Sequence, residues 1–217
     1  MMHIDPVLTA VCEQLVAKHG AHTVMLYGSR ADGSATAESD YDVVVFAPIG
    51  NAMRDARQHN GDYLDIFVYP ESVLIEPSEE FLHLRQSQVL LQRGNEGDTF
   101  LEQLDILFQQ GPAPLPPDEI TARITWIHKM LARMQRGDAE GNYRRIWLLF
   151  SLLEDYFQLR RQWYQGPRKS LALLQRSEPE MHAKFVSALE PGASPEAIHA
   201  LGNAVVDGVS VANNIAG

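Results

Sequence analysis

An apolar run that stops at Gly28-Ser29, and a β-branched run that opens on Asp40-Tyr41-Asp42, constrain this chain more than any other stretch. His22–Tyr27 is short and apolar, which reads as a strand, and Gly28 permits a sharp exit from it. Tyr41–Ala47 (YDVVVFA) reads as a buried strand closed by Pro48. Tyr63–Tyr69 (YLDIFVY) is a third strand, closed by Pro70. Val7, Leu8, Val11, Leu15 and Val16, followed by Gly20, predict an amphipathic helix over 6–19. Residues 78–86 and 98–109 also read as helical, and Val89–Gln92 as a short strand. Strands flanked by helices predict α/β or α+β packing.

The stretch Gly111-Pro112-Ala113-Pro114-Leu115-Pro116-Pro117 carries four prolines in seven residues. Proline lacks the N–H that a helix interior or an inner strand needs, so a stiff extended connector is expected there. It divides the chain into residues 1–110, a linker over 111–117, and residues 118–217. The last part reads as helices over 118–136, 143–164, about 168–176, 179–189 and 195–213, broken at Gly137, Gly141, Gly166-Pro167, Pro179 and Pro191. An all-α helical bundle is the natural packing for such a series. No hairpin signal, low-complexity stretch or internal repeat is read.

Charge is divided unevenly between the two parts. Residues 1–117 hold 6 Lys/Arg against 17 Asp/Glu, whereas residues 118–217 hold 12 against 11. A net charge of −10 without a basic stripe argues against nucleic acid as a partner. No run approaches the roughly 20 apolar residues of a membrane span. Met1-Met2-His3-Ile4-Asp5-Pro6 lacks a basic n-region, so a signal peptide is not expected and a cytoplasmic protein is. Cys12 is the sole cysteine, which excludes an intrachain disulfide and a Cys-built zinc site and reads as a small apolar helix residue.

The chemistry follows from the polar residues placed on these elements. Residues i and i+2 of a strand share a face, roughly 6.5–7 Å apart, so Asp40 and Asp42 present two carboxylates side by side. Hard divalent cations such as Mg²⁺ prefer oxygen ligands. Two such ions about 3.5–4 Å apart can clamp the attacking and leaving oxygens of a phosphoryl displacement. Asp65, flanked by apolar residues in the third strand, is costly there unless paired or liganded. If its strand lies beside 41–47, Asp65 can face the same metals and take a proton from an attacking hydroxyl. The bland reading of Asp65 is an ion pair with an arginine, and Asp62 at the adjoining turn is the alternative carboxylate. Gly28 lets backbone approach a phosphate, Ser29 offers a hydroxyl and an N–H, and a helix beginning at 30–36 would favour an anion at its start.

Gly28-Ser29, ten intervening residues, Asp40-x-Asp42, and Asp65 on a following strand resemble the signature of the DNA polymerase β-like nucleotidyltransferase superfamily. The motif spans about residues 22–70, and the domain resemblance about 1–110. The helical second half is similar, less specifically, to that of the small-molecule branch, the aminoglycoside and lincosamide nucleotidyltransferases. The resemblance implies an α+β fold with a small mixed sheet flanked by helices, followed by the helical domain. It implies ATP or another NTP, Mg²⁺ (two ions), and transfer of an NMP group to an acceptor hydroxyl with loss of pyrophosphate. It matches Asp40 and Asp42 to the metal pair, Asp65 to the third carboxylate, and Ser29 to the serine that contacts phosphate.

Arg30 is the only basic residue near the turn, so the second half is expected to supply cations to the triphosphate. Arg160, Arg161, Arg168 and Lys169 gather around residues 163–167, and Lys169 at a helix start is the candidate for the β/γ-phosphates. Helix 143–164 has almost no polar face in its middle, which predicts burial or a subunit contact in a homodimer. Glu154 and Asp155 interrupt it. They are either paired, for example with Arg161, or candidates for the acceptor site. The acceptor is expected to be a small hydroxylated molecule. The rival reading is an antitoxin-like protein that binds or AMPylates a partner protein.

Overall fold

The structure, a computed structural model, describes residues 5–209. Met1–Ile4 of the N-terminal reading and residues 210–213 of the last predicted helix lie outside the described residues. The chain forms two compact units, Met1–Gln110 and Gly111–Gly217.

The first unit is α+β, built on one five-stranded mixed sheet. Its strands are β1 (Thr23–Tyr27), β2 (Tyr41–Ala47), β3 (Met53–His59), β4 (Asp62–Pro70) and β5 (Gln88–Leu91). They lie in the order β3-β4-β2-β1-β5, with β2 and β4 parallel and the other pairs antiparallel. The central strand β2 explains its own sequence. Val43, Val45 and Ala47 pack on one face with Leu8, Val11 and Leu15 of helix α1 (Pro6–His19). Val44 and Phe46 pack on the other with Phe100 and Leu104 of helix α3 (Glu96–Gln110) and with two 3-10 turns, Glu71–Leu74 and Glu79–Leu84. A strand covered on both faces needs a continuous apolar run, which YDVVVFA supplies.

Helix α1 starts where Asp5 accepts a hydrogen bond from the Val7 N–H at 2.9 Å, with Pro6 in its first turn, and stops at Gly20, whose φ is +65°. Cys12 packs partly buried against the same core, and burial pushes its thiol pKa up.

Strand β3 corrects the sequence reading, which saw no hairpin. Asn60 and Gly61, at φ +53° and +97°, turn β3 back onto β4. Asn-Gly is the favoured turn for such a reversal, and the polar alternation of MRDARQH belongs to a strand at the sheet edge. Residues 78–86 were expected as helix and form the second 3-10 turn. A helix from 30–36 is instead the five-residue α2 (Gly28–Asp32), which stops at Gly33.

The second unit is all helical. Its helices are α4 (Pro117–Met134), α5 (Ala139–Leu159), α6 (Gly166–Ser177), α7 (Pro179–Leu189) and α8 (Pro195–Val206). Their shared core includes Ile127, Leu131, Leu152, Phe157, Phe185 and Leu201. Asp138 starts α5 by accepting from the Gly141 N–H at 2.7 Å, and Ser194 starts α8 by accepting from the Ala197 N–H at 3.2 Å. Gly202 brings α8 close to α4, since a Cβ there would lie 2.8 Å from a Leu131 methyl.

Helix α5 divides its apolar residues between two faces. Leu148, Leu152 and Leu153 are buried, while Tyr143, Ile146, Trp147 and Phe150 are exposed. Of the two expectations for its middle, burial or a subunit contact, burial describes one side only. Among the described residues no helix is long and apolar enough to cross a membrane.

Candidate active site

The carboxylates collect at one end of the sheet through strand register. Tyr27 of β1 stands opposite Asp42 of β2, and Asp42 stands opposite Asp65 of β4. One rung across three strands thus carries Tyr27, Asp42 and Asp65, on the face that packs against α3 further along. Asp40 sits just before β2 and is exposed.

Gly28 is fitted to this rung in two ways. Its φ is +72°, which L side chains rarely adopt. A Cβ there would also overlap the Asp42 carboxylate, lying 3.1 Å from its Cγ and closer still to Oδ2. Ser29 follows in the first turn of α2. Strand β5 secures the far end of α2, where the Gln88 side-chain amide donates to the Ala31 carbonyl at 2.7 Å.

Arg30 is engaged locally. Its guanidinium donates to the Ser39 carbonyl at 2.7 and 2.9 Å and to the Asp40 carbonyl at 3.2 Å. It lies 3.7 Å above the Tyr41 ring and 3.6 Å from an Asp62 oxygen. The Tyr41 hydroxyl in turn donates to Asp5 at 2.6 Å, and burial, followed by this bond, pushes its pKa up to about 12. These contacts fix the loop that leads into Asp40.

The electrostatics favour a cation. Burial raises the Asp42 pKa, and the charges of Asp65 and then Asp40 raise it further. Burial, then Asp42 and Asp65, push the Tyr27 phenol far above its ordinary value. Among the described residues no side chain donates a hydrogen bond to the Asp42 carboxylate. Asp40 and Asp42 are therefore an all-oxygen donor set whose mutual repulsion is uncompensated, and a hard divalent cation fits that set. Asp65 is already engaged: Arg54 on β3 donates from Nε at 2.7 Å and from a terminal nitrogen at 2.8 Å. Among the described residues no three acidic, histidine or cysteine side chains converge as a ready cation cage.

Neither Arg54 nor Tyr27 was singled out from the sequence. The signal for Arg54 was the Asn60-Gly61 turn, which lays β3 along β4. Tyr27 is simply the last residue before Gly28, and only the cross-strand register gives it meaning.

A cavity of about 830 Å³ lies beside strand β5, lined by Asp5, Leu26, Arg30, Tyr41 and Gln88 among others. The three carboxylates are not among its lining residues. Its wall takes in Leu8 of α1 as well as Asp98 and Leu101 of α3, so it runs along the β5 edge of the sheet.

The helical unit holds the remaining candidates. Lys169 is in the first turn of α6, which begins where the buried Ser170 hydroxyl accepts from the Gln165 N–H at 3.1 Å. Arg160 closes the end of α8, donating to the carbonyls of Ala204, Val205 and Asp207 at 2.9–3.2 Å. Asp155 is buried and pairs with Arg123 at 3.1 Å, not with Arg161. Burial pushes its pKa up to about 6 against the opposing pull of Arg123. Glu154 accepts from the Gln158 amide at 2.8 Å.

Residues 7–93 match the family model of the nucleotidyltransferase domain. That stretch contains Gly28, Ser29, Asp40, Asp42, Arg54 and Asp65. The first unit therefore carries an enzyme domain of the nucleotidyltransferase class. Such a domain transfers an NMP group from an NTP and generally uses a divalent metal. A crystal structure of a nucleotidyltransferase-like protein from Exiguobacterium sibiricum 255-15 aligns at 10% sequence identity with a TM-score of 0.46, covering 96% of this chain and 74% of that one. No curated protein matches the sequence.

Proposed function

We propose that this protein transfers an NMP group, AMP from ATP, to a hydroxyl of a small-molecule acceptor and releases pyrophosphate. The observation that carries this reading is the single rung of Asp42 and Asp65, backed by a glycine that cannot be substituted without displacing Asp42.

In this reading Asp40 and Asp42 hold divalent metal, two Mg²⁺ ions in all, and Asp65 completes the set. The metal, when bound, neutralises the carboxylates and draws charge from the phosphate oxygens. Gly28 and Ser29 present backbone N–H groups and a hydroxyl to the triphosphate. Arg30 acts on the site by holding the Ser39–Asp40 backbone. The acceptor oxygen bonds to the α-phosphorus as the bond from that phosphorus to the bridging oxygen breaks. Pyrophosphate leaves, and the hydroxyl proton passes to Asp65. Asp155 is assigned to the structural ion pair with Arg123. A homodimer through the exposed face of α5 and a cytoplasmic location complete the proposal.

The test is incubation with α-labelled NTPs, Mg²⁺ and a pooled panel of aminoglycosides, lincosamides, nucleosides and proteins. Mass spectrometry of labelled products should show an NMP adduct on a small molecule, with ATP the preferred donor. Asp42→Asn should abolish it. Label on a protein alone would favour the antitoxin-like rival, and full transfer by Asp42→Asn would sink the mechanism.

A further inference from the structure

Asp65 is closed by an arginine. The Arg54 fork uses both Asp65 oxygens, at 2.7 and 2.8 Å, and takes up one lone pair on each. Asp65 stands opposite Ala56 on β3, which puts Arg54, two residues away on the same strand face, diagonally across from it. The guanidinium also lies 5.1 Å from the Phe67 ring. The two partners differ in freedom. The Arg54 side chain is 55% exposed on an edge strand, whereas Asp65 is 16% exposed and fixed on an inner one. The arginine can therefore swing away while the carboxylate stays. Among the described residues, Asp42 on the same rung has no such counter-ion.

We infer that Arg54 is an internal counter-ion for the third carboxylate, displaced when a divalent cation enters with its nucleotide. This rests on the nucleotidyl-transfer reading of the same site. Arginine and metal draw on the charge of the same carboxylate and repel each other, so they compete there. A displaced guanidinium loses its carboxylate and needs another anion, and a triphosphate arriving with the metal supplies one. The exchange has a purpose in charge terms: it keeps the inner carboxylates from binding free divalent cation tightly in the absence of nucleotide.

The experiment is a Mn²⁺ titration of the full-length protein, followed by the electron paramagnetic resonance signal of free Mn²⁺, with and without a non-hydrolysable ATP analogue. Without nucleotide, Arg54→Gln should bind Mn²⁺ about fivefold more tightly than wild type, the scale expected of one exposed bidentate pair. Its gain on adding nucleotide should be correspondingly smaller. Arg54→Lys, which keeps the charge and loses the fork, should fall between the two. Arg57→Gln, on the same strand but paired with Gln14 and Asp55, should match wild type. Circular dichroism checks that each variant is folded. Equal or weaker Mn²⁺ binding by folded Arg54→Gln would overturn the counter-ion role and leave the transferase reading standing. Absence of Mn²⁺ binding in every protein, with or without nucleotide, would overturn the site reading and this inference with it.

Discussion

At the scale of single residues, Gly28 couples backbone to chemistry. A side chain there meets two obstacles, a φ of +72° and the Asp42 carboxylate. The first costs about 1–2 kcal/mol for an L-residue. The second moves a proposed metal ligand, and a displacement of about 1 Å in such a group can cost about 100-fold in rate. Gly28→Ala should therefore lose about two orders of magnitude in transfer while lowering the melting temperature by only a few degrees. Kinetics beside a thermal melt would check this, and wild-type kcat in the variant would refute it. Glycine after a strand was readable from the sequence as a turn. Its contact with Asp42 was not, because two residues fourteen positions apart meet only once β1 and β2 pair.

At the scale of elements, α5 shows how much a helix pattern leaves open. Its apolar residues predicted burial or a subunit contact, and Phe150 is 80% exposed while Asp155 is buried. Asp155 is tolerated because Arg123 of α4, itself held by Glu119 and Gln158, meets it. Its folded pKa of about 6 lies above the ordinary carboxylate value. Between about pH 4 and 6 the folded state therefore holds a proton that the unfolded chain has released. The stabilising contribution of Asp155 is full below that window and is lost as pH rises through it, to the extent of roughly 3 kcal/mol. Asp155→Asn should match wild type near pH 4 and gain on it by pH 7. Denaturant unfolding across that range, followed by circular dichroism, measures the difference, and parallel curves would contradict it. The β3–β4 hairpin is the other element-scale lesson. Its apolar content is low because β3 lies at the sheet edge, so hydrophobic patterning alone passed over it.

At the scale of the whole molecule, the acidic part of the sequence, 17 Asp/Glu against 6 Lys/Arg over residues 1–117, is the part that holds the unit Met1–Gln110 and its candidate carboxylates. By itself the sequence determined that strands flanked by helices build the first unit, with α+β implied by the resemblance, and that the second is helical. Local periodicity and turn residues specify elements, and a strand buried on both faces announces itself by an unbroken β-branched run. The sequence also set the order of Gly28, Asp40, Asp42 and Asp65 along the chain. Only the tertiary structure decided which carboxylates share a rung, that Arg54 closes Asp65, and that Arg123 serves Asp155. Those are register and packing outcomes, fixed by contacts between residues distant in sequence, and no local pattern encodes them.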